Sequence, residues 1–314
     1  MSFESIIGHE DIKKQLINSI SMGTVTHAHI FSGEDGIGKS LIAEELAIHI
    51  IGKEKHREYA DISHYRPLKG KLSIGIKDVL DIIEEVNKKP YEGDKKVLIV
   101  HEAHKMTAEA QNAFLKTIEE PPKGVFVLLL TENLQDILDT IKSRCQIHKL
   151  RRLTQEEMSA LLNRDYPGLK ESQLKVILSF SDGIPKRADM LINDKDYENM
   201  RQTVLDIIIN SGINKGAEAF SSEEFLCANK AIWREMLTVF LSYIRDALIY
   251  KETGKEELII NIDKLSGVKQ ISDIFSFKRL SGMVDIINYT AENLDRNVNT
   301  ALTFDAMLLK FQEG

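Results

Sequence analysis

The chain has 314 residues, a length typical of two or three domains. Hydrophobic residues make up 43% and charged residues 28%, as in an ordinary globular protein with a substantial core. Lys and Arg number 41 against 48 Asp and Glu, giving a net charge of −7, which excludes a protein that coats nucleic acid through bulk positive charge. The two cysteines, Cys145 and Cys227, are too few for a disulfide framework or a four-cysteine zinc site.

The sequence carries no sign of export or of membrane insertion. The first residues contain no apolar run of the signal-peptide type, and no stretch approaches the roughly 18 apolar residues that a membrane span needs. We therefore expect a cytoplasmic protein with no membrane contact, in which both thiols stay reduced.

The first half of the chain alternates short apolar runs with helical patterns. The segment 28–31 (AHIF) and the apolar runs at 97–100 and 125–130 predict buried strands. The patterns at 41–51 and 108–120 predict helices, and Pro121-Pro122 ends the second. This alternation predicts βαβ units and a parallel sheet with helices on both faces.

After about residue 150 the strand signals fade. Thr154 and Glu157 form a capping box that opens a helix, and 173–180 and 185–192 predict two more short helices. From residue 200 the chain is predicted to be helical, with loops at three dipeptides that contain glycine: Ser211-Gly212, Thr253-Gly254 and Ser266-Gly267. The predicted fold class is thus α/β plus all-α.

Residues 33–40, GEDGIGKS, match the phosphate-loop pattern GxxxxGK[S/T] between a predicted strand and a predicted helix. Gly33, Gly36 and Gly38 allow backbone N–H groups to surround phosphate oxygens at the positive end of the next helix. Lys39 would reach the β- and γ-phosphates, and Ser40 would ligate Mg²⁺. The motif predicts a nucleotide site; the alternative is a glycine turn that now only shapes the loop.

The acidic residue that P-loop ATPases place after a neighbouring strand is missing. His101 stands where an aspartate would hold Mg²⁺, and imidazole is a poor ligand for this hard cation. Glu102 remains a candidate catalytic base. Binding of ATP and Mg²⁺ therefore stays open, whereas hydrolysis is predicted to be weak or absent. We interpret His101 and His104 as part of a surface helix start rather than a metal site, because no third ligand lies nearby in sequence.

Residues 110–122, AQNAFLKTIEEPP, closely resemble the QNALLKTLEEPP signature of clamp-loader ATPases, a branch of the AAA+ family. Other segments resemble the same family at the expected places: 3–9 with Ile7 (the segment against the adenine base), 27–31 (the strand before the loop), 131–133 (sensor 1), 143–145 (the SRC motif), and 297–299 with Leu302, Asp305, Leu308 and Leu309 (the last collar helix). The resemblance implies an AAA+ P-loop domain at 1–152, a small helical lid domain at 153–200 and a helical collar domain for oligomerisation at 201–314.

The resemblance also implies roles for single residues. Arg144 would act in trans, reaching the γ-phosphate in a neighbouring subunit's site. Without the resemblance, an intramolecular ion pair of a surface arginine would be the favoured interpretation. Thr131 and Asn133 would sense a γ-phosphate, or would simply end a strand and begin a turn. Lys186 stands at the sensor-2 arginine position but cannot form a bidentate phosphate contact, so a solvated basic face is an equal alternative. Cys145 is interpreted as a small buried residue.

The missing acid motif favours a stator-like subunit over an ATP-hydrolysing motor. Residues 52–67 contain no cysteine, so the zinc module of many family members is not expected and no zinc is predicted. The implied partners are gamma/tau and delta subunits in a five-subunit assembly and, through that assembly, the sliding clamp and primer-template DNA. The alternatives are a gamma/tau-like motor that uses Lys39, Ser40 and Glu102, and a stand-alone P-loop kinase or ATPase.

Overall fold

The computed structural model of the chain describes residues 3–55, 57–67, 73–213, 219–296 and 298–312. Two compact units are present: Met1–Pro167 with Ser181–Arg187 (unit 1), and Gly168–Phe180 with Ala188–Gly314 (unit 2). The division into three domains stays a prediction. Asn297 of the collar motif lies outside the described residues. Within the described ranges, no helix is long and apolar enough to cross a membrane.

Unit 1 is built on a five-stranded sheet in which all neighbouring strands are parallel, in the order β2-β3-β4-β1-β5. Its helices and strands, in chain order, are α1 Glu10–Ser21, β1 Ala28–Ser32, α2 Lys39–Ile50, β2 Ile62–Tyr65, α3 Ile76–Asn87, β3 Lys96–Val100, α4 Ala108–Glu119, β4 Val125–Thr131, α5 Asp139–Lys142, β5 Gln146–Lys149 and α6 Gln155–Asp165. Three of the strands and the capping box at Thr154 confirm the sequence-based prediction.

Each face of the sheet carries its own hydrophobic core. On one face, Phe31 and Leu128 pack with Ile42 of α2 and Leu16 of α1. On the other face, their strand neighbours pack with residues of α3 and α4: Ile30, Val127, Val79, Ile82 and Phe114. Successive strand residues thus enter opposite cores, as the pleat requires. The predicted parallel sheet with helices on both faces is confirmed.

Two strands were not predicted from the sequence. β2 reads ISHY and β5 reads QIHK, so polar residues interrupt both. Among the residues that the structure describes, they are the two edge strands of the sheet, each with one neighbour. An edge strand is less enclosed than a central one, so its sequence need not be a continuous apolar run.

Unit 2 is helical, and the fold class α/β plus all-α is confirmed. The helices that follow α6 are α7 Glu171–Ser181, α8 Pro185–Asn193, α9 Lys195–Ile213, α10 Ala219–Ala228, α11 Trp233–Thr253, α12 Leu265–Ile274, α13 Phe277–Asp295 and α14 Thr300–Gln312. The apolar stripe of α11 supplies the unit's core through Met236, Leu237, Phe240 and Ile244, while Trp233 and Leu241 are partly buried against it.

Two of the three loops predicted at glycines are wrong. Gly254 does end α11, with a φ of 65°, but Ser211-Gly212 lies inside α9 and Ser266-Gly267 inside α12. A Cβ at Gly212 would lie 2.3 Å from Ile274 Cγ2, and one at Gly267 would lie 2.6 Å from Leu205 Cδ2. These two glycines therefore serve close packing between helices and not chain reversal.

Candidate nucleotide site and arginine site

The phosphate loop joins the end of β1 to the start of α2. Gly33 N donates to Thr131 O (3.1 Å), which ties the loop to β4. Gly36 and Gly38 have φ values of 77° and 109°, a backbone region that favours glycine. α2 begins directly after Gly38, so the unpaired N–H groups of its first turn lie at the loop. This backbone has the form that binds phosphate.

Lys39 contacts the loop itself. Its Nζ donates to Gly33 O (2.6 Å) and Glu34 O (2.8 Å), and burial lowers its pKa. A bound phosphate would offer the ammonium group charged acceptors in place of these neutral ones. Ser40 is exposed and lines the cleft beside the loop.

The two acidic residues of the loop form ion pairs. Arg152 donates to both carboxylate oxygens of Glu34 (2.6 and 2.8 Å) and holds the pKa of Glu34 below its usual value. Lys186 Nζ lies 2.5 Å from Asp35 Oδ2. A Cβ at Gly36 would lie 2.2 Å from Lys186 Cβ, so this glycine admits the lysine stem. Lys186 thus reaches the phosphate loop, but through a carboxylate.

His101 is buried, and its interpretation as a surface residue is wrong. It follows β3 and is 7% exposed, because β2 places His64 beside it. His101 Nε2 lies 3.2 Å from His64 Nδ1, and His64 Nε2 lies 3.3 Å from Glu44 Oε2. Burial, with the nearby charge of Arg66, lowers the pKa of His101 to about 4, so the imidazole is neutral near pH 7.

The donors around the cleft do not fit Mg²⁺ held as in other P-loop ATPases. The cleft has a volume of about 330 Å³ and is lined by Asp35, Lys39, Ser40, Arg66, Pro67, His101, Glu102, His104, Leu130 and Glu132. A neutral imidazole occupies the position of the aspartate, and Glu102 forms an ion pair with Lys105. Across the described ranges, no group of three or more His, Cys, Asp or Glu residues has a metal-binding arrangement.

Thr131 and Asn133 make contacts within the chain. Thr131 is fully buried and its hydroxyl donates to Asn133 O (2.8 Å). Asn133 Oδ1 accepts from Gln135 N (3.0 Å) and so caps a 3-10 helix. These contacts are those expected of a strand end and a turn, and the sensing role stays a prediction.

The N-terminal segment touches the phosphate loop. His9 Nε2 lies 3.3 Å from Ile37 O within the loop, and burial lowers the pKa of His9. Ile7, two residues earlier, is half-buried. A role for Ile7 against an adenine ring stays a prediction.

Arg144 lies outside the nucleotide cleft. Its Nε lies 2.7 Å from Glu119 Oε1, so the structure contains the intramolecular ion pair that the residues alone favour. Arg144 lines a second cleft, of about 570 Å³, that shares no lining residue with the first: Gln15, Asn18, Ser19, Met22, Thr24, Thr26, Ser143, Arg144, Cys145 and Gln146. An arginine in this position could contact a nucleotide phosphate only if the nucleotide is bound to another molecule that docks beside it. Burial raises the pKa of Cys145 to about 12, so this thiol stays protonated.

Gln111, in the 110–122 segment, links α4 to neighbouring parts of the chain. Its side chain is 2% exposed. Nε2 donates to Asp136 O (2.8 Å) and Met106 O (3.1 Å), and Oε1 accepts from Leu138 N (2.8 Å). One buried amide thereby joins α4 to the segments on either side of it.

Sequence reasoning missed Arg152, Arg66, His64 and Glu119. A usable signal existed for one of them, because two acidic residues in a phosphate-binding loop call for basic partners and Arg151-Arg152 is a basic pair. No comparable signal marks His64 or Arg66.

Comparisons with known proteins agree with this architecture. A family model described as DNA polymerase III, delta subunit, matches residues 8–154, and one described as DNA polymerase III, delta subunit, C terminal, matches residues 198–313. The delta' subunit of DNA polymerase III from Bacillus subtilis is 27% identical, over 96% of this chain and 96% of its own length. The tau subunit from the same organism is 26% identical over 98% of this chain, which spans 61% of tau.

Among solved structures, a gamma subunit-related protein from Thermotoga maritima covers 95% of this chain and 99% of its own, at 18% identity and a TM-score of 0.48. A similarity of this degree adds nothing to the assignment, which rests on the two family models and the relatives. The chain belongs to the clamp-loader subunits of DNA polymerase III, a branch of the AAA+ family.

Proposed function

We propose that this chain is the delta-prime subunit of a bacterial DNA polymerase III clamp loader. In this role it is a stator-like subunit that helps to load the sliding clamp on primed DNA and supplies Arg144 to a neighbouring ATP site. The observation that carries the proposal is the neutral, buried His101 beside an intact phosphate loop. A site of this kind can hold phosphate but lacks the carboxylate that positions Mg²⁺ for hydrolysis.

The missing carboxylate at His101 and the contacts of Glu102 both disfavour the motor alternative. A gamma/tau-like subunit would use Glu102 as a base, but Glu102 is ion-paired with Lys105 and has a left-handed backbone with φ of 52°. A stand-alone kinase or ATPase has less support still, because Arg144 lies away from the cleft that would hold its own nucleotide.

The proposed partners are gamma/tau and delta subunits in a five-subunit assembly, through which the chain meets the clamp and primer-template DNA. Support comes from α14, where Leu302 and Leu309 are 66% and 56% exposed. They are seven residues apart, which places them on one helix face. Exposed leucines on the last helix suit a collar in which subunits pack side by side.

Assembly is the direct test of the proposal. Mixed with gamma/tau and delta, the chain should enter a five-subunit complex as a single copy, measured by native mass spectrometry, and the complex should hydrolyse ATP when primed DNA is added. The isolated chain should show no ATPase above background. Magnesium-dependent turnover by the isolated chain, lost on Lys39→Ala, would instead establish the motor alternative, and failure to assemble would reject the subunit role.

The phosphate loop should bind nucleotide with little help from magnesium. Titration with a fluorescent ATP analogue is expected to give saturable binding whose Kd changes less than about threefold when Mg²⁺ is replaced by EDTA, because His101 adds no charge to hold the ion. Lys39→Ala should weaken binding at least tenfold through loss of a charge-assisted hydrogen bond. Lys89→Ala, an exposed lysine away from the loop, serves as the control. If no binding is detected at millimolar nucleotide, the loop is not a nucleotide site and only shapes the chain.

A further inference from the structure

The contacts of Arg144 occupy only part of its guanidinium group. Nε faces Glu119 Oε1 at 2.7 Å, and Nη1 donates to Thr140 O (2.8 Å) and Ser143 Oγ (3.1 Å). None of these contacts uses Nη2. The side chain is 39% exposed and borders the cleft beside α1. The remaining N–H groups are therefore left for an acceptor outside these contacts.

Glu119 belongs to a helix that holds the arginine segment at two points. Glu119 is the last residue of α4, and Arg144 follows α5 by two positions. Near the other end of α4, Gln111 Oε1 accepts from Leu138 N (2.8 Å), immediately before α5. Gln111 and Glu119 are two helical turns apart, about 12 Å. The Glu119 carboxylate is thus carried by a helix that is already fixed against the segment containing Arg144.

The Glu119–Arg144 ion pair contributes little to the stability of the fold. The two side chains are 42% and 39% exposed, and ion pairs at that exposure contribute little to the free energy of unfolding. Its main effect is on the conformational freedom of the arginine, which has many rotamers when free. Anchoring Nε and Nη1 selects one of them before any partner arrives, and an oriented group loses less freedom on docking.

We propose that Glu119 is a positioning residue for Arg144, holding the guanidinium by its Nε edge so that the Nη2 edge is presented to the phosphate of a nucleotide on the neighbouring subunit. This inference rests on the proposed function, because it requires Arg144 to act in trans. The partner chemistry is the triphosphate of a nucleotide, an anion that two N–H groups of one guanidinium can bind. The open cleft next to Arg144 leaves space for the surface that brings it.

The test uses the assembled loader with gamma/tau subunits whose own SRC arginines are replaced by alanine, so that Arg144 is the only trans arginine. Glu119→Ala is expected to lower the DNA-stimulated kcat about tenfold with the KM for ATP unchanged, since a misplaced group costs rate and not ground-state binding. Glu119→Gln keeps the shape of the side chain but removes its charge, so it should lower kcat in the same direction, because the contact with Nε is an ion pair. The matched control is Glu120→Ala, an exposed acid one residue further on, which should leave kcat unchanged.

Background variants separate this inference from the proposed function. In an otherwise intact loader that carries Arg144→Ala, where the other motor sites still hydrolyse ATP, Glu119→Ala should cause no further loss. If Arg144→Ala lowers kcat but Glu119→Ala does not, the positioning role is wrong and the proposed function stands. If Glu119→Ala lowers kcat equally with and without Arg144, its role is merely structural. If Arg144→Ala itself has no effect, the trans role fails and this inference fails with it.

Discussion

Arg144→Ala should nearly abolish DNA-stimulated hydrolysis at the one ATP site that this subunit serves. A guanidinium supplied in trans contributes roughly 10³–10⁵ in rate to phosphoryl transfer. In an otherwise intact loader the other motor sites keep their own arginines, so total ATPase would fall only in part. In the loader whose gamma/tau SRC arginines are replaced, the remaining activity should fall by about 10³-fold or to background, measured as phosphate release with primed DNA and clamp.

Folding controls make this result specific. Loss of the half-exposed pair with Glu119 should cost less than about 1 kcal/mol of unfolding free energy, so the variant should assemble normally. Arg144→Lys should not restore activity, because an ammonium group lacks the planar pair of N–H donors. Arg57→Ala, which removes another exposed, ion-paired arginine of unit 1, should leave the rate unchanged. If the loader with Arg144→Ala keeps its full ATPase activity, Arg144 does not act in trans.

The phosphate loop and the three central strands could be predicted because their signals are contiguous. Residues 33–40 carry a complete motif between a strand and a helix, and the central strands are predominantly apolar, with His29 the one interruption of the predicted runs, and are buried on both faces. Both the phosphate loop and the central strands can therefore be predicted from local sequence alone. The edge strands fail the same test because their polar residues break the run.

The contacts that decide the chemistry of the site could not be predicted, because they join distant parts of the chain. Arg152 meets Glu34 across 118 residues. His64 meets His101 only because β2 and β3 are neighbours in a particular register, with Tyr65 opposite Val100. Local sequence could show that an aspartate is missing at His101. It could not show that the histidine is buried and therefore neutral.

The second large effect is acid sensitivity confined to unit 1. All nine histidines of the chain lie between residues 9 and 148, so unit 2 contains none. His29 and His148 are 0% and 2% exposed, with His29 Nδ1 3.0 Å from His148 Nε2. Burial lowers the pKa of His148 to about 4, and burial together with the charge of His148 lowers that of His29 to about 3. His101, with a pKa of about 4, adds a third such group.

These shifts fix the sign of the pH dependence. The folded-state pKa values lie below the ordinary histidine value of 6.5, so the unfolded state takes up protons first as the pH falls. Stability is complete above about pH 6.5 and declines as the pH falls toward about 4. At pH 5, a histidine shifted from 6.5 to about 4 costs about 2 kcal/mol. Three such groups would remove a large part of the stability of an ordinary domain.

Urea unfolding at pH 7.5 and pH 5.0 tests this expectation, with an internal control. Trp233 is the single tryptophan and packs against the core of unit 2, so its fluorescence reports that unit, whereas hydrogen exchange in β1 and β5 reports unit 1. Acid should weaken protection in β1 and β5 with a much smaller change in the Trp233 transition. The amide of His148→Gln can still pair with His29. In this variant, the difference between the unfolding free energies of unit 1 at pH 7.5 and pH 5.0 should shrink by about 2 kcal/mol. Equal protection at both pH values, or an unchanged difference in His148→Gln, would show that these histidines are not held neutral by the fold.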